Sequence, residues 1–260
     1  MGVPDLAHQV YGPKDGPALL LIHGFPFDRR MWRFQVNALA TAGVRVIVPD
    51  LWGFGQSEGP GHPTMEAHAK DLLMLLDRLH VSKVTVAGFS MGGYVALAVA
   101  AAAPQRIDGL VLLDSRATPD TPEGKTKRDA VIADVQAHGT RGLVTKQVEA
   151  QLTEATRKSQ RLLTEEVREL MLRQPKAAVV AALQAMRDRP DRMDLLPTLH
   201  VPCLFLAGFH DKVTPAEDAK AMAAVAKDAE VHVIDGAAHL TPMERPHDVN
   251  ATLIDWLGSA

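Results

Sequence analysis

Ser90 lies in Gly88-Phe89-Ser90-Met91-Gly92, directly after the apolar run Val84–Ala87 and before the alanine-rich stretch Gly92–Ala103. A serine between two glycines on a strand–turn–helix has the layout of a nucleophile elbow. The hydroxyl must be lifted clear of the sheet on a tight turn. Glycines at 88 and 92 leave room for strand and helix to approach each other. The alternative is a chance glycine-containing loop, and the position between a buried strand and a helix speaks against it.

A serine hydroxyl is a poor nucleophile until a base removes its proton. Among 11 histidines, His239 is the strongest candidate. It closes the small-residue loop Asp235-Gly236-Ala237-Ala238-His239 after the last apolar run, and such a loop can carry an imidazole over a sheet edge. His232 sits inside that run, His210 precedes the acid candidate, and His247 opens the last helix. The acid that orients the base is expected between serine and histidine in chain order. Asp211, in Gly208-Phe209-His210-Asp211 after the run Cys203–Ala207, fits 28 residues before His239. Asp114, at the end of Gly109–Leu113, is a rival. Thr214-Pro215-Ala216-Glu217 reads as a helix start, with Thr214 capping, Pro215 in the first turn and Glu217 closing a capping box. On that reading Asp211 is not needed as a cap.

A tetrahedral intermediate at Ser90 requires two donors for its oxyanion. The N–H of Met91, after the nucleophile, supplies one; His23-Gly24-Phe25-Pro26 offers the N–H of Phe25 as the other, with His23 as a brace of that loop. No cluster of His, Asp and Glu has metal-ligand spacing, so neither a metal nor another cofactor is implied.

These residues need a scaffold that brings four loops to one edge. Ala18–His23, Val44–Val48, Val84–Ala87, Gly109–Leu113, Cys203–Ala207 and Val231–Ile234 read as short strands. Their continuous apolar character suits strands covered on both faces, as in a parallel sheet. Helical patterns lie between them, notably Thr64–Leu79 with leucines at 72, 73, 75, 76 and 79. The alternation predicts an α/β, doubly wound, mostly parallel sheet. The stretch 118–194 breaks the rhythm: 26 of its 77 residues are charged, about 34%, and it has no Phe, Trp or Tyr. Its amphipathic segments Lys125–Ala137, Leu143–Leu152, Glu165–Gln174 and Lys176–Arg189 are too much chain for a simple crossover. The expected organisation is a core of residues 1–117 and 195–260 with a helical lid, 118–194, inserted between two strands.

Composition narrows the function class. The chain has 260 residues, 47% of them hydrophobic, enough for a substantial core. A net charge of −3 leaves no basic surplus for a phosphate backbone, so no nucleic-acid partner is expected. The longest purely apolar run, Tyr94–Ala103, has ten residues, against about 20 needed to cross a bilayer, so no membrane partner is expected. Met1–Tyr11 shows no secretory pattern, and the lone Cys203 cannot form an internal disulfide. A cytoplasmic location follows as an expectation, and a homodimer stays open.

Together the motifs resemble the α/β-hydrolase superfamily, specifically its lidded serine esterase and 3-oxoadipate enol-lactonase-like group. His23-Gly24-Phe25-Pro26 is similar to the oxyanion loop, and Asp50-Leu51-Trp52-Gly53-Phe54-Gly55-Gln56-Ser57 to the family's D-x-x-G-x-G-x-S turn. Gly88–Gly93 is similar to the elbow, Gly208–Asp211 to the acid loop and Gly236–His239 to the histidine loop. Relatives that open epoxides or displace halide use Asp at the elbow, and epoxide hydrolases use lid tyrosines; here the elbow carries Ser90, and Tyr11 and Tyr94 both lie outside 118–194. The resemblance implies cleavage of a small or medium carboxylic ester or lactone through an acyl-enzyme at Ser90, His239 and Asp211. A C–C hydrolase or a perhydrolase with the same three residues is the alternative, and a non-enzymatic receptor is a more distant one. Expected substrate-binding walls are Phe27, Trp32, Met186 and Leu240, each with a core reading beside it, and for Trp32 the two readings are equal. Arg29, Arg30 and Arg116 fall near the rim, either as solvated surface arginines or as a seat for a substrate carboxylate.

Overall fold

The computed structural model describes residues 5–259. The apolar runs form one seven-stranded sheet: β1 (His8–Tyr11), β2 (Ala18–Ile22), β3 (Arg45–Pro49), β4 (Val84–Phe89), β5 (Ile107–Leu113), β6 (Cys203–Gly208) and β7 (Ala229–Ile234). The spatial order is β1-β3-β2-β4-β5-β6-β7. Only β1 runs antiparallel, pairing His8 with Pro49; every other pairing is parallel. β1 has no counterpart in the expected strand set. It is a half-exposed edge strand of mixed composition and lacks the apolar run of a central strand.

Successive residues of a strand point to opposite faces, and here both faces are covered. Leu20 and Ile22 pack with Leu72, Leu76 and Val95 on one side. Leu19 and Leu21 pack with Trp32, Val36, Leu253 and Trp256 on the other. The first side is built by α2 (Met65–Arg78) and α3 (Met91–Ala102), the second by α1 (Val36–Thr41) and the last helix. In α2 the Thr64 hydroxyl accepts the Ala67 N–H at 3.2 Å, and the leucine stripe faces the sheet.

Between β5 and β6 lie five helices: α4 (Pro122–His138), α5 (Arg141–Gln151), α6 (Glu154–Ser159), α7 (Arg161–Leu172) and α8 (Lys176–Asp188). The six-residue α6 is too short to leave a periodic signal. Arg189 ties the two ends of this segment together. Its guanidinium donates to Asp120 at 2.7 Å and to the carbonyls of Met186 and Thr118 at 2.6 and 3.0 Å. It also stacks on Tyr94, one turn beyond Ser90, at 4.1 Å. Gln174, at the end of α7, donates to Asp28 at 2.9 Å and accepts the Gly55 N–H at 3.1 Å, so it joins two core loops to the insertion. The chain then closes with α9 (Ala216–Ala223), the short α10 (Thr241–Glu244) and α11 (Pro246–Ser259).

The expected cap at Thr214 is not formed. α9 starts at Ala216 behind Pro215, with no side-chain cap. The Thr214 hydroxyl donates instead to the Asp211 carboxylate at 2.7 Å. A charged acceptor makes the stronger bond, so the hydroxyl is drawn away from the helix end.

Candidate active site

The loops at the carboxyl ends of β2, β4, β5 and β6 and the loop after β7 converge on Ser90. Ser90 sits between β4 and α3 with φ 50° and ψ −114°. A non-glycine residue there stores roughly 1–3 kcal/mol of strain, which the surroundings must hold in place. They do so through the Ser90 N–H, which donates to the Leu113 carbonyl at 2.9 Å, and through the Ser115 hydroxyl, which donates to the Ser90 carbonyl at 2.8 Å. The flanking glycines are sterically required. A Cβ on Gly88 would stand 2.2 Å from the Gly92 carbonyl oxygen, and one on Gly92 would stand 2.2 Å from that of Ile22.

Ser90 Oγ lies 2.8 Å from His239 Nε2, and His239 Nδ1 lies 2.7 Å from Asp211 Oδ2. A carboxylate only accepts, so Nδ1 carries the ring proton and donates it to Asp211. That leaves the Nε2 lone pair facing the serine hydroxyl, which donates to it. Asp211 is 6% exposed and His239 is 1% exposed. Burial alone would raise the Asp211 pKa, but the His239 charge and hydrogen bond and the bonds from Thr214 outweigh it and hold this carboxyl below the usual range. Its Oδ1 also accepts the N–H groups of Val213 and Thr214 at 2.7 and 3.0 Å. The rival, Asp114, is not hydrogen-bonded to His239. It accepts the Gly208 N–H at 2.9 Å and the Thr241 hydroxyl, which makes it a brace between the acid and histidine loops.

The N–H groups of Phe25 and Met91 donate to no acceptor among the described residues. The loop bearing Phe25 is turned by the Phe27 N–H donating to the Gly24 carbonyl at 3.0 Å. His23 is fully buried and bonded at both nitrogens: Nδ1 donates to the Gly24 carbonyl at 2.9 Å, and Nε2 accepts the Leu51 N–H at 3.0 Å. Burial lowers its pKa, against the pull of Asp50, which keeps the ring neutral as this bonding pattern requires.

The side chains expected as pocket walls lie in the packed interior. Phe27, Trp32 and Leu240 have no accessible surface and belong to the core on the α1 and α11 side. Met186 is 4% exposed and packs on the other side. Their apolar bulk is absorbed by packing beneath the site. Phe27 packs against Phe89 at a tilt with centroids 6.3 Å apart, and Phe89 against His239 at 5.3 Å, so Phe27 backs the ring that touches the imidazole. The three rim arginines are all occupied. Arg29 pairs with Asp50 and Gln56, Arg30 with Asp28, and Arg116 with the Val213 carbonyl and Asp218. A surface groove of about 1010 Å³ is lined by Arg33, Phe34, Leu162, Glu166, Met243 and His247, and none of Ser90, Asp211 or His239 lines it.

Four residues that bear on the site carried no sequence signal: Ser115, Thr214 in its actual role, Gln174 and Glu244. Each acts through a contact with a segment distant in sequence or with a turn whose conformation the local pattern does not reveal.

Comparison with known proteins places the chain. The family described as alpha/beta hydrolase fold matches residues 17–246, and the chain belongs to it. A thermophilic esterase from Thermogutta terrifontis, solved with malate bound, is 41% identical with a TM-score of 0.93, over 98% of this chain and 93% of that one. The 3-oxoadipate enol-lactonase 1 of Acinetobacter baylyi is 28% identical over 93% of this chain and 88% of its own length. The dihydrolipoyllysine-residue acetyltransferase component of an acetoin cleaving system from Pseudomonas putida is 33% identical over 95% of this chain, which spans only 65% of that protein. The resemblance to the esterase and enol-lactonase-like group and the α/β-hydrolase fold both hold. Among the described residues, no helix is long and apolar enough to cross a membrane.

Proposed function

We propose that this chain is a serine hydrolase that cleaves small to medium carboxylic esters or lactones through an acyl-enzyme. The observation that carries the reading is the unbroken hydrogen-bonded chain from Ser90 through His239 to Asp211, with donors at 2.8 and 2.7 Å. Ser90 Oγ attacks the carbonyl carbon as His239 Nε2 takes its proton. Asp211 stabilises the imidazolium, and the N–H groups of Phe25 and Met91 receive the oxyanion. Collapse breaks the bond to the leaving alcohol, which takes the proton from Nε2. Water then attacks the acyl-serine with His239 as base again, releasing the acid and restoring Ser90. Residues 118–194 act as a lid that closes the acyl side of the site. The proposed setting is the cytoplasm, which the single buried Cys203 suits.

The kinship with a lactonase and an esterase supports acyl chemistry. The test is hydrolysis of p-nitrophenyl esters from acetate to decanoate, together with simple lactones, by wild type and Ser90→Ala. Steady turnover abolished in Ser90→Ala is expected, and the chain-length optimum sizes the acyl site. A folded wild type without turnover on any of them would overturn the ester and lactone reading.

A further inference from the structure

We propose that Glu244 is a positioning residue for His239, and that it works by fastening the histidine loop to the inserted helices. The inference rests on the serine-hydrolase reading and adds to it a part for the insertion: holding the base.

Glu244 closes α10, five residues after His239, and is 2% exposed. Its Oε2 accepts the N–H of Ala238, the residue immediately before His239, at 2.8 Å. Its Oε1 accepts both the N–H and the hydroxyl of Thr153, between α5 and α6, at 2.9 and 2.6 Å. On the other side of the histidine, the Leu240 N–H donates to the Gln151 carbonyl at 2.9 Å. Both neighbours of His239 are thus fixed, directly or through Glu244, to the turn 151–153. That turn belongs to the insertion, more than eighty residues away in sequence.

Three donors converge on one side chain, and a carboxylate is the group that meets all three without a donor of its own. An amide keeps one acceptor oxygen and turns its NH₂ toward one of the donors. In a buried site that mismatch leaves donors unpaired and displaces the loop. The displacement reaches the chemistry because His239 must satisfy Ser90 at one ring nitrogen and Asp211 at the other. A shift of about 1 Å in such a group costs on the order of 10²-fold in rate. The arrangement also means that the 151–153 part of the insertion stays docked during turnover, because releasing it would release the base.

The test compares wild type, Glu244→Gln, Thr153→Val and Thr153→Ser. The readouts are p-nitrophenyl acetate kinetics across the titration range of the imidazole and the downfield proton resonance of the His239 Nδ1–H. Glu244→Gln is expected to lower kcat by about 10²-fold with KM within about twofold, to shift the acid limb of the pH profile, and to move or broaden that resonance. Thr153→Val follows in the same direction by roughly fivefold, about 1 kcal/mol. Thr153→Ser, which keeps the hydroxyl, behaves as wild type. A folded Glu244→Gln with wild-type kcat, pH profile and resonance, whatever its melting temperature, would overturn the proposal. If Glu244→Gln does not fold, Thr153→Val decides by the same readouts. The resonance, recorded also in a Ser90→Ala background, reports ring placement without turnover. A chain lacking Ser90-dependent hydrolysis would therefore remove the functional reading, while the resonance would still decide the part played by Glu244.

Discussion

The carboxyl ends of β5 and β6 make a controlled comparison. Each carries a buried aspartate, Asp114 with no exposure and Asp211 with 6%. Each accepts backbone N–H groups, and each accepts a threonine hydroxyl, from Thr241 and Thr214 respectively. Their ionisation nevertheless diverges. Asp114 is pushed well above the ordinary carboxylate range by burial and then by the neighbouring Asp211 charge, and its hydrogen bonds only partly oppose this. Asp211 feels burial too, but the His239 imidazole across from it turns the balance and holds it low. Two buried carboxyls are therefore pushed in opposite directions: one is held toward the anion that faces His239, the other toward the protonated form while it knits two loops together. Depth sets the size of the electrostatic stakes, and the group across the gap sets their sign.

The comparison breaks most visibly at Asp211. Asp211→Asn offers Nδ1 an amide and favours the wrong ring tautomer, so kcat on p-nitrophenyl acetate should fall by roughly 10⁴-fold. A fall of less than tenfold would mean that another acid holds His239. Thr214→Val removes one hydroxyl bond from the Asp211 anion. A drop of about tenfold in kcat is expected, since hydrogen bonds to charged groups contribute about 1.5–3 kcal/mol. The matching change at the end of β5, Asp114→Asn, should leave kcat within about threefold, because Asp114 is hydrogen-bonded to neither Ser90 nor His239 and the amide oxygen still accepts from Gly208. A loss comparable with Asp211→Asn would show that the two aspartates share the task.

The smallest effect, in pH dependence, sharpens the contrast. Asp114 binds its proton more tightly folded than unfolded, where the reference is about 3.9. Its contribution to stability is complete below that reference and declines as pH rises toward the raised folded value. Asp211 works the other way: its contribution is complete above the reference and is lost as pH falls toward the depressed folded value. Asp114→Asn removes only the first effect. Its melting temperature relative to wild type should therefore climb as pH rises above about 4. A difference that stays flat over that rise would mean Asp114 is ionised in the fold.

Much of this site was legible before any coordinates. A nucleophile elbow is a local motif, because its strand, turn and helix are adjacent in sequence and its glycines answer contacts only a few residues away. The acid and histidine loops were legible for a similar reason, as each follows a buried apolar run directly. Thr214 was misread because capping and side-chain donation compete for the same hydroxyl, and the winner depends on where Asp211 points. Trp32, Phe27 and Leu240 were placed at the pocket because proximity in sequence to a site residue says nothing about which side of the sheet receives the side chain. β1 escaped because an edge strand needs no continuous apolar run.

The sequence by itself determined the order of the six apolar strands, the helical character of 118–194 and the candidate serine, histidine and pair of aspartates, all of which rest on short-range pattern and residue chemistry. Tertiary structure alone decided which of two aspartates meets the histidine, which arginines are already neutralised, and that a carboxylate at 244 joins the insertion to the base. Those outcomes depend on distances between segments far apart in the chain, where hydrogen bonding and burial, not local propensity, choose among chemically equivalent residues.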